Sequence, residues 1–502
     1  MSFFSTRGGA CVTASQAILY GLAADGGLYV PAMFPQISRK KLLELVSMTY
    51  CQRASTILRT YLEDFSIPEI DAAVSAAYAK DKFDDEAIAP LRRRSDGTFV
   101  LELFHGPTLA FKDMALQLLP HLITLSARKN GEKREVSILV ATSGDTGKAA
   151  LEGFKDVPGT SCTVFYPMDG VSRVQQLQMT TTGGDNTHVI AVKGNFDDAQ
   201  TGVKALFSSE NFAAEMNSLD KVLSSANSIN FGRLVPQVVY YFSAYADLLA
   251  QGAIQPGDAV NFVVPTGNFG NILAAFYARS MGLPVGRLIC ASNRNNVLTD
   301  FFATGTYDVR RQFFKTTSPS MDILISSNLE RLLYEVADRD GGLIATWMRQ
   351  LKECGSYSVG EQRLDWLNAI FASGFADDRQ TAEEIRTVFQ QEHYLMDTHT
   401  AVASHVLREY RQRTGDTTPT VIVSTASPYK FAGDVLAALR GEGAPRETDA
   451  FRCAEELEQL SGVPVPAQVR ELRSLPVRHT AWCEKDTMGQ AVLRAFEPES
   501  CC

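Results

Sequence analysis

One pattern recurs from about residue 98 onward: a short run of apolar and β-branched residues, a polar loop holding glycine, then apolar residues at helical spacing. "EVSILVATSGDTGKAALEGF" and "AVNFVVPTGNFGNILAAFYARSMGLP" both follow it, with strands predicted at Val136 to Ala141 and Val260 to Val264. "TFVLELFHGPT", "CTVFYP", "RLICAS" and "PTVIVSTAS" supply further short strands. Strands apolar along their whole length need cover on both faces, and a parallel sheet wrapped by helices provides it. The pattern therefore predicts an α/β class with two doubly wound layers. Residues 1–95 read differently. "SRKKLLELVSMTYCQRASTILRTYL" has apolar residues at helical spacing, and "DGGLYVP" is a glycine turn leading into a short extended piece. The expected organisation is a helix-rich region over 1–95, a large α/β domain over 96–112 and 236–470, a small one over 113–235, and a C-terminal extension over 471–502. No repeat of fixed period occurs.

Open α/β sheets bind ligands beyond the carboxyl ends of their strands. Three polar loops fall there: Thr142 to Gly147, Thr266 to Asn271 and Ser424 to Ser427. In "PTGNFGN", Gly267 and Gly270 stand between strand and helix, where bare backbone amides and a helix start suit an anion, though a tight turn packed on glycine explains them equally well. Neither G-x-G-x-x-G nor the Walker pattern is present, which disfavours dinucleotides and ATP. "TSGDTGKAA" offers hydroxyls from Thr142, Ser143 and Thr146 at a second helix start. Asp145 would repel an anion placed beside it, and helix capping is the plainer role. "SANSINFGRL" sets Asn227, Ser228 and Asn230 ahead of Arg233, a natural bidentate partner for phosphate if it is not simply a surface arginine.

Composition narrows the partners. The net charge of −9 and the lack of a strongly basic block argue against nucleic acid. No run of about 18 apolar residues exists, so no membrane span is expected. The N-terminus lacks the pattern of a signal peptide. Nine scattered cysteines without a C-x-x-C pair suggest free thiols in a reducing cytoplasm, with Cys501 and Cys502 exposed at the end. No histidine pair has metal-site spacing, and no metal is expected.

"FHGPTLAFKDMALQLL" holds Lys112 in an apolar setting where a turn-rich segment meets a helix. A snorkelling lysine is the plain reading; an amine made nucleophilic by its surroundings is the other. Two anion cradles together with such a lysine suggest a phosphorylated cofactor and a phosphorylated substrate. Pyridoxal phosphate (PLP) unites them, although a phosphosugar enzyme using lysine as a base remains open.

"FHGPTLAFKD", "SGDTG", "SANSIN", "PTGNFGN" and "STASPYKF", in this order, resemble the threonine synthase family, PLP enzymes of the tryptophan-synthase-β fold group (fold type II). "STRGG", "DGGLYVP", "GNFDDAQTGVK", "SPSMDILISSNLERLL" and "DTHTAVA" extend the likeness from about residue 5 to about 440. The resemblance implies that Lys112 bonds the cofactor aldehyde and moves protons. It implies that Gly267, Asn268, Phe269, Gly270 and Asn271 bind the cofactor phosphate, that Thr425 hydrogen-bonds the pyridine nitrogen, and that Asp145 lies near the ring hydroxyl. Thr142, Ser143, Thr146, Asn227, Ser228 and Arg233 would hold the substrate phosphate. The implied reaction turns O-phospho-L-homoserine and water into L-threonine and phosphate, in a cytoplasmic monomer or homodimer. The alternatives are a phospho-lyase of the same group that releases 2-oxobutyrate, and a non-catalytic PLP-binding protein.

Overall fold

The computed structural model describes residues 1–142, 144–168, 171, 173–441 and 447–497. Ser143, Cys501 and Cys502 lie outside them. Two sheets dominate. The first is six-stranded, in the order Phe371–Phe375, Val285–Ser292, Val260–Pro265, Thr420–Ser424, Phe99–Glu102, Leu91–Arg93. All its strands are parallel except Leu91–Arg93, which runs antiparallel against Phe99–Glu102. The second is five-stranded and wholly parallel, in the order Trp482–Glu484, Thr187–Lys193, Thr160–Pro167, Glu135–Ala141, Lys221–Ser224. Its strand Thr160–Pro167 and the first sheet's Val260–Pro265 are buried at every position, as strands covered on both faces must be.

Three details depart from the sequence-based partition. Leu91–Arg93 belongs to the first sheet, not to the N-terminal region, because its backbone pairs with Phe99–Glu102. The boundary at 235 falls inside the helix Phe231–Ala250, which runs 20 residues and is buried on nearly all sides. The C-terminal residues Trp482–Glu484 add a strand to the second sheet beside Thr187–Lys193. Near the N-terminus, Ser2–Ser5 pairs antiparallel with Val12–Thr13 and Tyr29–Pro31; helices such as Tyr50–Tyr61 and Ile67–Ala77 follow, each opened by a capping box. Among the described residues no helix is long and apolar enough to cross a membrane.

Because Val260–Pro265, Thr420–Ser424 and Phe99–Glu102 are parallel neighbours, their carboxyl ends deliver three loops to one edge. Those loops are Thr266–Phe269, Thr425–Ser427 and the stretch leading to Lys112.

Candidate active site

The segment before Lys112 is zipped to the end of the neighbouring strand. Leu103 N donates to Ser424 O, Phe111 N to Thr425 O, and Ser427 N to Leu109 O. Leu109 takes a left-handed φ of 59°, uncommon outside glycine, and is held there by burial. Asp113 anchors the turn by accepting from Thr108 N (2.8 Å) and Thr108 Oγ1 (2.7 Å). Position 106 must be glycine, since a Cβ there would come within 2.6 Å of Asp113. Burial pushes the Asp113 carboxyl up to about 6, against the two Thr108 hydrogen bonds.

Lys112 therefore points from a fixed backbone into a small cavity shared with Asp145, Ser320, His399 and Thr425. Its side chain keeps 13% exposure. Nζ lies 3.5 Å from Asp145 Oδ2 and 3.5 Å from Ser320 Oγ. Burial lowers its pKa below the usual lysine value; Asp145 opposes this, and Lys430 and Arg233 add to it. Asp145 opens the helix Asp145–Phe154 at the end of the Glu135–Ala141 strand. Burial resists its ionisation, yet Lys430 at 3.2 Å and Lys112 hold the carboxyl well below the ordinary aspartate range. Ser320 Oγ donates to Asp145 Oδ2 (3.0 Å), and Ser320 N donates to His399 Nε2 (3.2 Å). With Nε2 accepting, the hydrogen-bond network assigns the imidazole proton to Nδ1, which donates to Asp397 Oδ1 (2.9 Å).

The glycine loop packs against the Ser320 turn. Amides of Gly267 to Asn271 donate to no protein acceptor among the described residues, and the helix Gly270–Ser280 starts there. Phe269 holds a left-handed φ of 64°, made tolerable by a buried ring packed on Phe302 and Phe371. A Cβ at Gly267 would approach Ser320 O to 2.6 Å, so the loop and the Ser320 turn fit only with glycine. Asn268 O accepts from Asn328 N and Nδ2. Tyr240 and Tyr241 hydroxyls both reach Asn271 Oδ1 (2.5 and 2.7 Å), which leaves the buried Asn271 Nδ2 unpartnered. Thr425 is buried and lines the cavity.

The "SANSIN" loop precedes the long helix Phe231–Ala250. Asn230 caps the long helix through Gly232 N (2.8 Å) and ties the loop by donating to Ser225 O and Ile18 O. Ser228 Oγ lies 3.4 Å from Ser327 Oγ, which in turn donates to Asn268 Oδ1, so Ser327 bridges this loop to the glycine loop. Asn227 is exposed. Arg233 is buried; Nη1 donates to Ala226 O (2.7 Å), Nε has no partner, and burial alone pushes its pKa down to about 10. Thr142 Oγ1 accepts from Gly144 N and Gly147 N, both at 3.0 Å, so its lone pairs serve the helix start. Thr146 follows in that helix.

The structure thus gathers Lys112, Asp145 and Thr425 around one cavity; Gly267 abuts the Ser320 turn that lines it, and the Arg233 charge acts on Lys112. Ser320, His399 and Asp397 went unassigned in the sequence. All three lie in "SPSMDILISSNLERLL" and "DTHTAVA", segments that carry the resemblance without a role for these residues. A larger cavity of about 470 Å³ lies at the opposite, amino ends of the strands, but its carboxylates Asp96 and Asp416 are already occupied by Thr98 and Thr418 amides.

The family described as pyridoxal-phosphate dependent enzyme matches residues 90–426. Fold and site thus define a PLP-dependent enzyme of fold type II. The families described as threonine synthase N terminus and threonine synthase, C-terminal match residues 2–78 and 400–482. Threonine synthase from Pseudomonas aeruginosa is 42% identical, covering 86% of this chain and 89% of its own. Human threonine synthase-like 1 is 42% identical over 85% of this chain, which spans 58% of that longer relative. The crystal structure of PLP-bound threonine synthase from Brucella melitensis superposes with a TM-score of 0.88 at 37% identity, covering 99% of this chain and all of the other; the yeast enzyme also gives 0.88, at 31% identity, covering 99% and 98%. The chain belongs to the threonine synthase family.

The residues present fit PLP. A row of amides at a helix start without protein acceptors among the described residues suits its phosphate, and a desolvated lysine faces Ser320, against which Gly267 packs.

Proposed function

We propose that the protein is a threonine synthase, converting O-phospho-L-homoserine and water into L-threonine and phosphate. Gly267, Asn268, Phe269, Gly270 and Asn271 would hold the cofactor phosphate, Thr425 its ring nitrogen, and Lys112 its aldehyde carbon. Bound there, PLP supplies an electron sink for charge developed on the substrate carbons. The conversion removes protons from Cα and Cβ, breaks the Cγ–O bond with the electron pair leaving on phosphate, returns a proton to Cγ, adds the hydroxyl of water at Cβ and returns a proton to Cα. Lys112 carries these protons: its amine faces the cavity, and burial lowers its pKa toward working pH. Lys430 is less suited, because its Nζ is turned to Thr108 O and Asp145. Arg233 receives the substrate phosphate, with Ser228, Asn227 and Thr146 around it; Thr142 shapes the loop and keeps one hydroxyl hydrogen to donate.

The observation that carries this reading is Arg233, a buried cation with no carboxylate partner among the described residues, near enough to Lys112 to depress its pKa. Such a charge is costly unless an anion joins it. Two anion seats beside one reactive amine match a phosphorylated cofactor and a phosphorylated amino acid. The test is an assay of phosphate and threonine from phosphohomoserine, with visible absorption of wild type and Lys112→Ala. Threonine and phosphate are expected in equal amounts, with band and turnover lost in the variant. Keto acid and ammonia as products, or no phosphate release by a cofactor-loaded protein, would overturn the assignment.

A further inference from the structure

Lys430 is 2% exposed, on the turn Pro428–Phe431 that follows the Thr420–Ser424 strand. Its Nζ donates to Thr108 O at 2.8 Å and lies 3.2 Å from Asp145 Oδ1. Lys112 reaches the other oxygen, Oδ2, at 3.5 Å, and that oxygen already accepts from Ser320 Oγ at 3.0 Å. One buried carboxylate thus sits between two ammonium groups, and only one is needed to neutralise it. The nearer of the two is also fastened by a backbone carbonyl. The pair joins the two layers, since Asp145 begins a helix of the second sheet and Lys430 follows a strand of the first.

We propose that Lys430 is a positioning residue, the standing counter-ion of Asp145, which lets the Lys112 amine give up its proton without stranding a buried carboxylate. If Asp145 had Lys112 alone, the two would form a closed ion pair and the amine would keep its proton. With Lys430 in place, a neutral Lys112 leaves Asp145 still paired. The charged and titratable groups facing Lys112 are Asp145, Lys430 and Arg233, with Asp113 on its own helix and His399, backed by Asp397, across the cavity. Burial, Lys430 and Arg233 all lower the Lys112 pKa, and Asp145 opposes them.

This proposal rests on the reading of Lys112 as the reactive amine, but its test needs neither cofactor nor substrate. Cofactor-free protein is labelled with a limiting amount of acetic anhydride across the pH range of lysine titration. Mass spectrometry follows the Lys112 peptide against exposed lysines. In Lys430→Met the Lys112 labelling curve should move to higher pH, with about tenfold slower labelling at neutral pH. Lys430→Arg should keep the wild-type curve, and Lys430→Met combined with Asp145→Asn should return toward it, because both charges are gone. Lys430→Gln retains a donor for the Thr108 carbonyl, so the charge is still tested if the methionine variant fails to fold. An unmoved curve in Lys430→Gln or Lys430→Met, or a double variant that behaves like Lys430→Met, would overturn the proposal. Wild type that releases no phosphate from phosphohomoserine would instead overturn the functional assignment and leave the labelling result standing.

Discussion

Removing the Arg233 charge should make the cofactor-free protein more stable and the enzyme inactive. A guanidinium moved by burial from its ordinary value down to about 10 carries roughly 3 kcal/mol of unfavourable desolvation in the folded state. The folded-state value lies below the unfolded one, so the cost is fully present below pH 10 and fades only as pH climbs above it toward the unfolded value. At neutral pH all of it applies. Arg233→Met removes the charge and keeps an unbranched apolar stem in the same space. It also leaves Ala226 O without its donor, a loss of about 1–2 kcal/mol. The net gain is about 1–2 kcal/mol, read from urea unfolding of the cofactor-free protein. Inorganic phosphate supplies the second arm of the assay. In wild type it should restore stability, by about 2.7 kcal/mol at a concentration 100-fold above its dissociation constant. The methionine variant should respond far less. A variant less stable than wild type that phosphate still stabilises equally would refute the account of Arg233 as an anion's partner.

Two further outcomes follow from the geometry. Gly267→Ala should weaken PLP binding more than tenfold, seen by titrating cofactor absorbance, because its Cβ meets the Ser320 carbonyl oxygen at 2.6 Å and one of the two segments must move; unchanged affinity would mean the loop and turn are looser than drawn. The Asp113 carboxyl has a folded-state value near 6 against 3.8 unfolded, so stability should fall by roughly 3 kcal/mol as pH rises between them and stay low above. Asp113→Asn should flatten that part of the stability–pH curve, and an unchanged slope would exclude Asp113 as its source.

The sheet strands were legible because burial on both faces leaves an unbroken apolar run, as in Val260–Pro265. The loops at their ends were legible because glycine marks where backbone approaches closely. Lys112 stood out as a charge in an apolar frame. Ser320 did not, because it sits in a single helical turn, Pro319–Met321, without periodicity, 208 residues from the lysine it faces. His399 shares no metal-site spacing with another histidine, so nothing in the sequence singled it out. Its place was set by the Asp397 cap beneath it, which a linear pattern cannot orient. Trp482–Glu484 is too short to show alternation and becomes a strand only by tertiary pairing. Arg233 could be read as an anion ligand from its neighbours, but not as a buried one: that depended on the helix Phe231–Ala250 running through the core.

The pairing of Trp482–Glu484 with Thr187–Lys193 reaches beyond the cavity. A protein truncated after Arg440 would keep every group discussed around Lys112, yet bare the outermost backbone of the second sheet. It would also uncover Ile190, Val192 and Phe212, which pack with Cys483, Met488 and Val492. Raw sheet margins of that kind recruit other chains, so the shortened enzyme would be prone to sticking to itself. The tail serves as a selvedge, finishing a fabric whose pattern was woven elsewhere.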